Sequence, residues 1–265
     1  MNKVVQKIKH STFPLFFNTF VNQVMRRGHK SVFWGNLMLT LNKSAGFLKD
    51  PVFASSLNAI KDSHVYDIYN SSESIAWRLH TLVWAGQNAA KLDGDFVECG
   101  VFKGDMSWVV TQMLDFGKLA KTFYLYDTFT GFSDKYSSSE DFPDRPEFYE
   151  FTHKYYNDPT LLGYVTQRFA GLPNVKIVKG VVPDVFAETS PQKIAFLHID
   201  LNSPGPEIGA LEALFDRVVP GGYIIFDDYG WLGMRKLKAA EDAFMNERGY
   251  TVLELPTGQG LVIKR

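Results

Sequence analysis

From residue 95 to the C-terminus, short runs rich in Val, Ile, Phe and Tyr alternate with stretches of helical periodicity. The runs are DFVECGV (95–101), KTFYLYD (121–127), NVKIVKG (174–180), KIAFLHID (193–200) and GGYIIFDD (221–228). Helical patterns lie at 104–117, 159–172, 206–219 and 234–249, with a shorter one at 182–189. Parallel neighbours need long crossovers, so this alternation predicts an α/β fold: a mainly parallel sheet with helices on both faces. The closing runs, YTVLELP (250–256) and GQGLVIKR (258–265), flank a Thr-Gly turn with no helix between them. One edge strand is therefore expected to run antiparallel.

Upstream, Ile75, Leu79, Leu82, Val83 and Ala90 recur at near-helical spacing, and Ser71 or Ser72 suits a cap. This helix opens a main domain expected over 71–265. Residues 1–70 read as a basic, helical N-terminal extension that shapes an acceptor pocket or makes an oligomer contact. Residues 1–49 hold eight of the 28 Lys and Arg and none of the 29 Asp and Glu, leaving 20 basic against 29 acidic groups elsewhere. The near-neutral total argues against nucleic acid as a partner. A homo-oligomer is expected.

No run reaches the roughly 18–20 apolar residues of a membrane span. STFPLFFNTFV (11–21) is broken by Pro14 and Asn18 and reads as a packing helix, with weak membrane-surface contact as the alternative. Cys99 is the one cysteine and cannot form an internal disulfide. It fits a buried role in a reducing, cytoplasmic setting.

Sheets of this kind bind ligands beyond the carboxyl ends of their strands, where the strand order reverses. In VECGVFKGD, Glu98, Gly100 and Gly104 form an E-x-G-x-x-x-G turn that lets backbone approach a ligand. Phe102 replaces the middle glycine of a dinucleotide fingerprint, which argues against a pyrophosphate. Asp127, 23 residues past Gly104, matches the acid that binds ribose hydroxyls in Rossmann-like sites; a turn or capping Asp is the alternative. Gly180 permits approach to an adenine edge, or is a loop glycine. Asp200, Asp227 and Asp228 end two strands and would repel one another. A hard divalent cation, Mg2+ before Mn2+ or Ca2+, would resolve this. In the alternative, Asp228 caps a helix and Asp200 pairs with Lys or Arg.

Taken together, GDFVECGVFKGDMS, YDTFTGF, VKGVVPDVF, HIDLN, GGYIIFDDYGW and LPTGQGLVIK resemble class I S-adenosylmethionine-dependent methyltransferases. The likeness, from about residue 70 onward, is nearest to macrocin-type O-methyltransferases of antibiotic sugars. The resemblance implies a Rossmann-like seven-stranded sheet with an antiparallel C-terminal strand. It implies a cofactor site of Glu98, Gly100, Gly104, Ser107, Asp127, Phe129, Gly180 and Val181, and Mg2+ on Asp200, Asp227 and Asp228. One position departs. The sugar enzymes read D-x-D where this chain has Asp200-Leu201-Asn202, and the second Asp is their proposed base. An amide takes no proton at neutral pH.

The expected activity is Mg2+-assisted methyl transfer from S-adenosylmethionine to a small-molecule hydroxyl, on a sugar or polyol diol. Asp200, Asn202 and His198 are the candidate catalytic residues. His198 or Glu207 would replace the missing base, or water would remove the proton. Residues 128–158, with Tyr136, Phe142, Phe148, Tyr149, Phe151, Tyr155 and Tyr156, are long enough for a lid. Their rings suit sugar faces or plain loop packing, and Trp231 is a further pocket candidate. Two rivals remain: a cofactor-binding or assembly protein without methyl transfer, and a nucleotide-sugar enzyme, which would need a diphosphate grip that no P-loop or basic cluster supplies.

Overall fold

The computed structural model describes residues 32–35, 38–61 and 75–265. Residues 11–21, Ser71 and Ser72 lie outside them. The chain divides into two compact units, Met1–Trp77 and Arg78–Arg265. No helix among the described residues is long and apolar enough to cross a membrane.

In the first unit, β1 (Val32–Gly35) pairs antiparallel with β2 (Met38–Leu41), and helix α1 (Pro51–Ile60) follows. Asp50 caps α1: its Oδ1 accepts from the N–H of Val52 at 2.8 Å and of Phe53 at 3.0 Å. Pro51 opens the first turn, where no donor is needed. Phe53, Leu57 and Ile60 share one buried face. The described part of the extension is thus strand as well as helix. Four-residue strands are too short to show clear alternation in sequence.

The second unit is built on seven strands: β3 (Asp95–Cys99), β4 (Phe123–Asp127), β5 (Val175–Lys179), β6 (Ile194–Ile199), β7 (Val218–Phe226), β8 (Leu253–Glu254) and β9 (Gly260–Ile263). Their spatial order is β5-β4-β3-β6-β7-β9-β8. The first five are parallel; β9 runs against both β7 and β8. The reversed strand therefore lies one place in from the edge, and the two-residue β8 is the edge itself.

Six helices accompany the sheet: α2 (Ala76–Ala89), within which the two units divide, α3 (Asp105–Leu114), α4 (Glu147–Tyr156), α5 (Leu161–Arg168), α6 (Pro204–Leu214) and α7 (Arg235–Glu247). Two sequence expectations shift. Val218 and Val219 belong to β7 rather than to the preceding helix, because Pro220 biases the residue before it towards extended backbone and β-branched side chains suit a strand. The run 182–189 makes only a single 3-10 turn, Asp184–Ala187.

All six residues of β6 are buried. On one face Phe96 stacks on Phe196, ring centres 5.0 Å apart, with Phe116 and Phe123 edge-on around them. The other core joins Val97, Cys99, Leu197 and Ile199 to Leu211 and Leu214 of α6. Each such Leu or Phe contributes about 1.5–3 kcal/mol on burial. Cys99 is fully buried and its thiol is pushed well up by desolvation, which fits its reading as a small apolar side chain.

The strand order runs from β3 out through β4 to β5, then resumes on the other side of β3 with β6. The reversal lies between β3 and β6. The ladder continues past the strand ends: the Asp200 N–H donates to the Cys99 carbonyl at 2.8 Å, and the Asp227 N–H to that of Ile199 at 3.0 Å. Those bonds bring the glycine turn and the acidic strand ends to one edge.

Candidate active site

A cleft opens at that edge, enclosing about 740 Å3 with its solvent mouth included. Its walls include Gly100, Phe102, Asp127, Gly180, Val181, Asp200 and Asn202. Six of the predicted site residues thus share one cavity. Glu98, Gly104, Ser107, Phe129, His198, Asp227 and Asp228 do not line it.

The glycine turn has an unusual backbone. Gly100, Phe102 and Gly104 have φ of +89°, +46° and +74°. Glycine adopts that region freely; phenylalanine does so at a cost. Asp127 holds the strained residue in place. Its Oδ2 accepts from the N–H of Val101 at 2.7 Å and of Phe102 at 2.8 Å. Its Oδ1 accepts from the N–H of Phe129, itself at φ +55°, at 2.6 Å. Asp127 is therefore a turn-organising acid as well as a cleft residue. Three of a carboxylate's roughly four lone-pair sites are occupied, which leaves one for a ligand hydroxyl. Gly180 continues the pattern: its N–H donates to the Asp127 carbonyl at 2.9 Å, and a Cβ there would meet Val185.

Behind Asp200 lies the acid cluster. One carboxylate oxygen each from Asp200, Asp227 and Asp228 lies within 4.8 Å of the others, and among the described residues no other such group occurs. Burial, with Asp228 beside it, pushes Asp200 up to about 7. A residue that the sequence reading missed completes the cluster. Arg78, on α2 and 6% exposed, pairs its Nη2 with Asp227 Oδ2. Its Nε donates to Asp227 Oδ1 at 3.2 Å, and Nη2 reaches the Asp227 carbonyl at 3.2 Å and Asp228 Oδ1 at 3.3 Å. Gln259, fully buried after the Thr-Gly turn, donates to Asp227 Oδ1 at 2.9 Å. The cation partner foreseen for Asp200 is thus found, but on Asp227 and Asp228.

Neither candidate replacement base faces the cleft. His198 is 1% exposed, with Nδ1 at 2.9 Å from Glu98 Oε1. Its Nε2 is 3.6 Å from Asp227 Oδ1, too far for a hydrogen bond. Glu98, also buried, is thereby turned to His198 rather than to the cleft. Glu207, 1% exposed, accepts from the N–H of Leu201 and of Asn202, both at 3.0 Å, through Oε1. That grip supports Asn202 at φ +59°, from which its Nδ2 donates to Asp200 Oδ1 at 3.0 Å. Burial pushes Glu207 up to about 7. Glu241 of α7 is fully buried, and desolvation with the Glu207 carboxyl nearby raises it well above its ordinary value. Two buried carboxyls so placed raise each other's proton affinity beneath the Asp200–Asn202 turn.

Of the seven lid aromatics, Phe142, Phe148 and Tyr149 pack inwards, whereas Phe151 and Tyr155 are exposed. Phe142 and Phe148 form a small core with Met234 and Leu237, against which Phe132, Tyr149 and Trp231 lie. Only Phe132, Tyr136 and Tyr156 of the segment's rings line the cleft. The segment also contains α4 and is tied down: Lys135 and Tyr136 each bond Asp184 at 2.6 Å, Ser203 bonds Asp141 at 3.0 Å, and Arg235 bonds Asp144 at 2.7 Å.

Residues 78–253 match the family model described as Macrocin-O-methyltransferase (TylF). Mycinamicin III 3''-O-methyltransferase of Micromonospora griseorubida is 28% identical over 163 residues, 57% of this chain. The match spans 62% of that relative's length. Among solved structures, the O-methyltransferase NovP superposes with a TM-score of 0.56 at 20% identity, over 71% of this chain and 79% of its own. The S-adenosylhomocysteine-bound Podospora anserina methyltransferase PaMTH1 gives 0.52 at 14% identity, over 83% and 93%. At those identities the two structures attest the fold. The family match begins at Arg78 and takes in the glycine turn, Asp127 and all three clustered acids, and on that ground the chain belongs to the macrocin O-methyltransferase family.

Proposed function

We propose that this chain transfers a methyl group from S-adenosylmethionine to a hydroxyl of a sugar or related polyol diol, with Mg2+ at Asp200, Asp227 and Asp228. The observation that carries the reading is the position of Asp200. It lines the cleft that holds the glycine turn and Asp127, and it belongs to the acid cluster. Donor and acceptor chemistry thus meet at one residue. The donor set fits Mg2+: three carboxylates, no nitrogen or sulfur ligand, mutually within 4.8 Å. Bound there, the cation would orient the diol and stabilise charge developing on the attacking oxygen.

The rest falls to the chain. Asp127 accepts from a ribose hydroxyl with its remaining lone pair. Gly100 and Gly180 admit the cofactor close to the backbone. Phe132, Tyr136 and Tyr156 exclude water from the acceptor side. The acceptor oxygen attacks the methyl carbon in line, the carbon–sulfur bond breaks, and S-adenosylhomocysteine leaves. Asn202 cannot take the released proton, and His198 and Glu207 are turned away from the cleft, so the proton passes to water. Calorimetry with S-adenosylhomocysteine, then transfer of labelled methyl to a panel of diols, tests the reading. Binding of a UDP-sugar in place of S-adenosylhomocysteine would sink it.

Asn202 favours a second reading, a protein that binds the cofactor without methyl transfer. Tight S-adenosylhomocysteine binding with no turnover across the diol panel would select it. A cytoplasmic setting and a homo-oligomer belong to the same proposal, and light scattering of the full chain checks the second.

A further inference from the structure

Arg78 has no part in the mechanism above, yet among the described residues it is the one Lys or Arg that is buried. A guanidinium in that position needs a reason, because desolvating it is costly unless anions compensate. We infer that Arg78 is a built-in counter-ion of the acid cluster: it keeps Asp227 and Asp228 assembled without a cation, and it limits how tightly a divalent cation is held. The inference rests on the proposed cation site and concerns this chain's own arginine.

The hydrogen bonds divide the cluster into an anchor and a free face. Asp227 is nearly saturated. Its Oδ1 accepts from Arg78 Nε and Gln259 Nε2, its Oδ2 faces Arg78 Nη2, and its carbonyl also takes a guanidinium bond. Among the described residues, Asp228 has one long contact with Arg78, at 3.3 Å, and Asp200 one side-chain bond, from Asn202 at 3.0 Å. Spare lone pairs therefore lie on Asp200 and Asp228. Charge points the same way. Three carboxylates and one guanidinium leave two negative charges, the complement of one divalent ion. The same fixed positive charge repels that ion across a few ångströms of low-dielectric interior.

The test compares Arg78→Met, which keeps an apolar stem and removes the charge, with Arg78→Lys, which keeps the charge. Calorimetric Mg2+ titration of the full chain should show Arg78→Met binding at least about tenfold tighter than wild type, and Arg78→Lys within about threefold. Without Mg2+, Arg78→Met should melt below wild type, and Mg2+ should restore more of its Tm than it adds to wild type. Equal or weaker Mg2+ binding by Arg78→Met overturns the inference. So does an Arg78→Met protein that stays unfolded in Mg2+, because the cation should replace the lost charge. Absence of Mg2+ binding by both wild type and Arg78→Met would remove the cation site itself. Binding by wild type with no gain in Arg78→Met removes only the role of Arg78.

Discussion

A Cβ at residue 100 would overlap the carbonyl oxygen of Asp200, so β3 and β6 can close at their carboxyl ends only over a glycine. Gly100 therefore does more than spare room for a ligand. It sets the distance between the glycine turn and the first acid of the cluster. The predicted outcome of Gly100→Ala is a loss of more than about 3 kcal/mol in urea unfolding, from the backbone clash and from φ of +89° together. S-adenosylhomocysteine binding should be lost with it. A variant of wild-type stability would show that the strand ends are not held this closely.

Asp127 organises the turn through three backbone N–H groups. Hydrogen bonds to a charged acceptor contribute more than neutral ones, so Asp127→Asn should cost about 1–3 kcal/mol of stability. In the proposed site Asn would also give up the ribose acceptor, so cofactor affinity should fall further than stability alone explains. Equal S-adenosylhomocysteine affinity in calorimetry would reduce Asp127 to a turn residue.

The raised carboxyls carry a pH signature. Asp200 and Glu207 are both pushed up to about 7, above their unfolded values near 4. Between those values the folded chain binds more protons than the unfolded one, so these groups make stability fall as pH rises from about 4 to 7. The metal-free protein should melt higher at pH 5.5 than at pH 8. Mg2+ needs Asp200 ionised, so its affinity should weaken below about pH 7, approaching tenfold per pH unit. Thermal melts and titrations at pH 5.5, 7 and 8 check both signs. A metal-free Tm that rises with pH across this window would contradict the raised values.

Glu241 gives a narrower version of that test. It is fully buried, and desolvation with the Glu207 carboxyl nearby raises its proton affinity. Glu241→Gln removes that titration and relieves Glu207 of a like charge at every pH. Tm should be unchanged at pH 5.5 and higher than wild type at pH 8, flattening the slope. A lower Tm at both values would mean that the two carboxyls do not oppose each other's ionisation.

How much of this was legible follows from where each residue stands in the pattern. Strands β3 to β7 announce themselves because apolar runs end on Gly or Asp, and a strand's last residue is where such sheets place ligands. Asp127, Asp200, Asp227 and Asp228 were readable for that reason. Arg78 was not read, although a signal existed. It stands three residues after Ile75 and four before Leu82, inside the apolar stripe of α2, where a charge implies a buried partner. Gln259 and Glu241 gave less warning. One sits in a turn, the other on a helix rich in charge, and only tertiary packing buries them. The lid aromatics fit a sugar platform and loop packing equally well in sequence, and Phe142 and Phe148 close a small core of their own.

Asn202 remains the sharpest test of function. It sits at φ +59°, a conformation that Asp tolerates as well as Asn, so Asn202→Asp should not strain the backbone. The substitution removes the amide that donates to Asp200 Oδ1 and puts a carboxylate in its place, 3.0 Å away. Two adjacent carboxylates raise each other's proton affinity, so metal-free stability at pH 8 should fall by about 1–2 kcal/mol and recover with Mg2+. The new carboxylate also supplies a proton acceptor at a cleft position where the natural amide cannot serve. If the acceptor is a sugar diol, whose hydroxyls are weak acids, turnover should rise by about 10–100-fold, with the gain in kcat rather than KM. A flat response would mean that the acceptor gives up its proton without help, as a phenol or catechol does, and would move the search for the substrate to acidic hydroxyls.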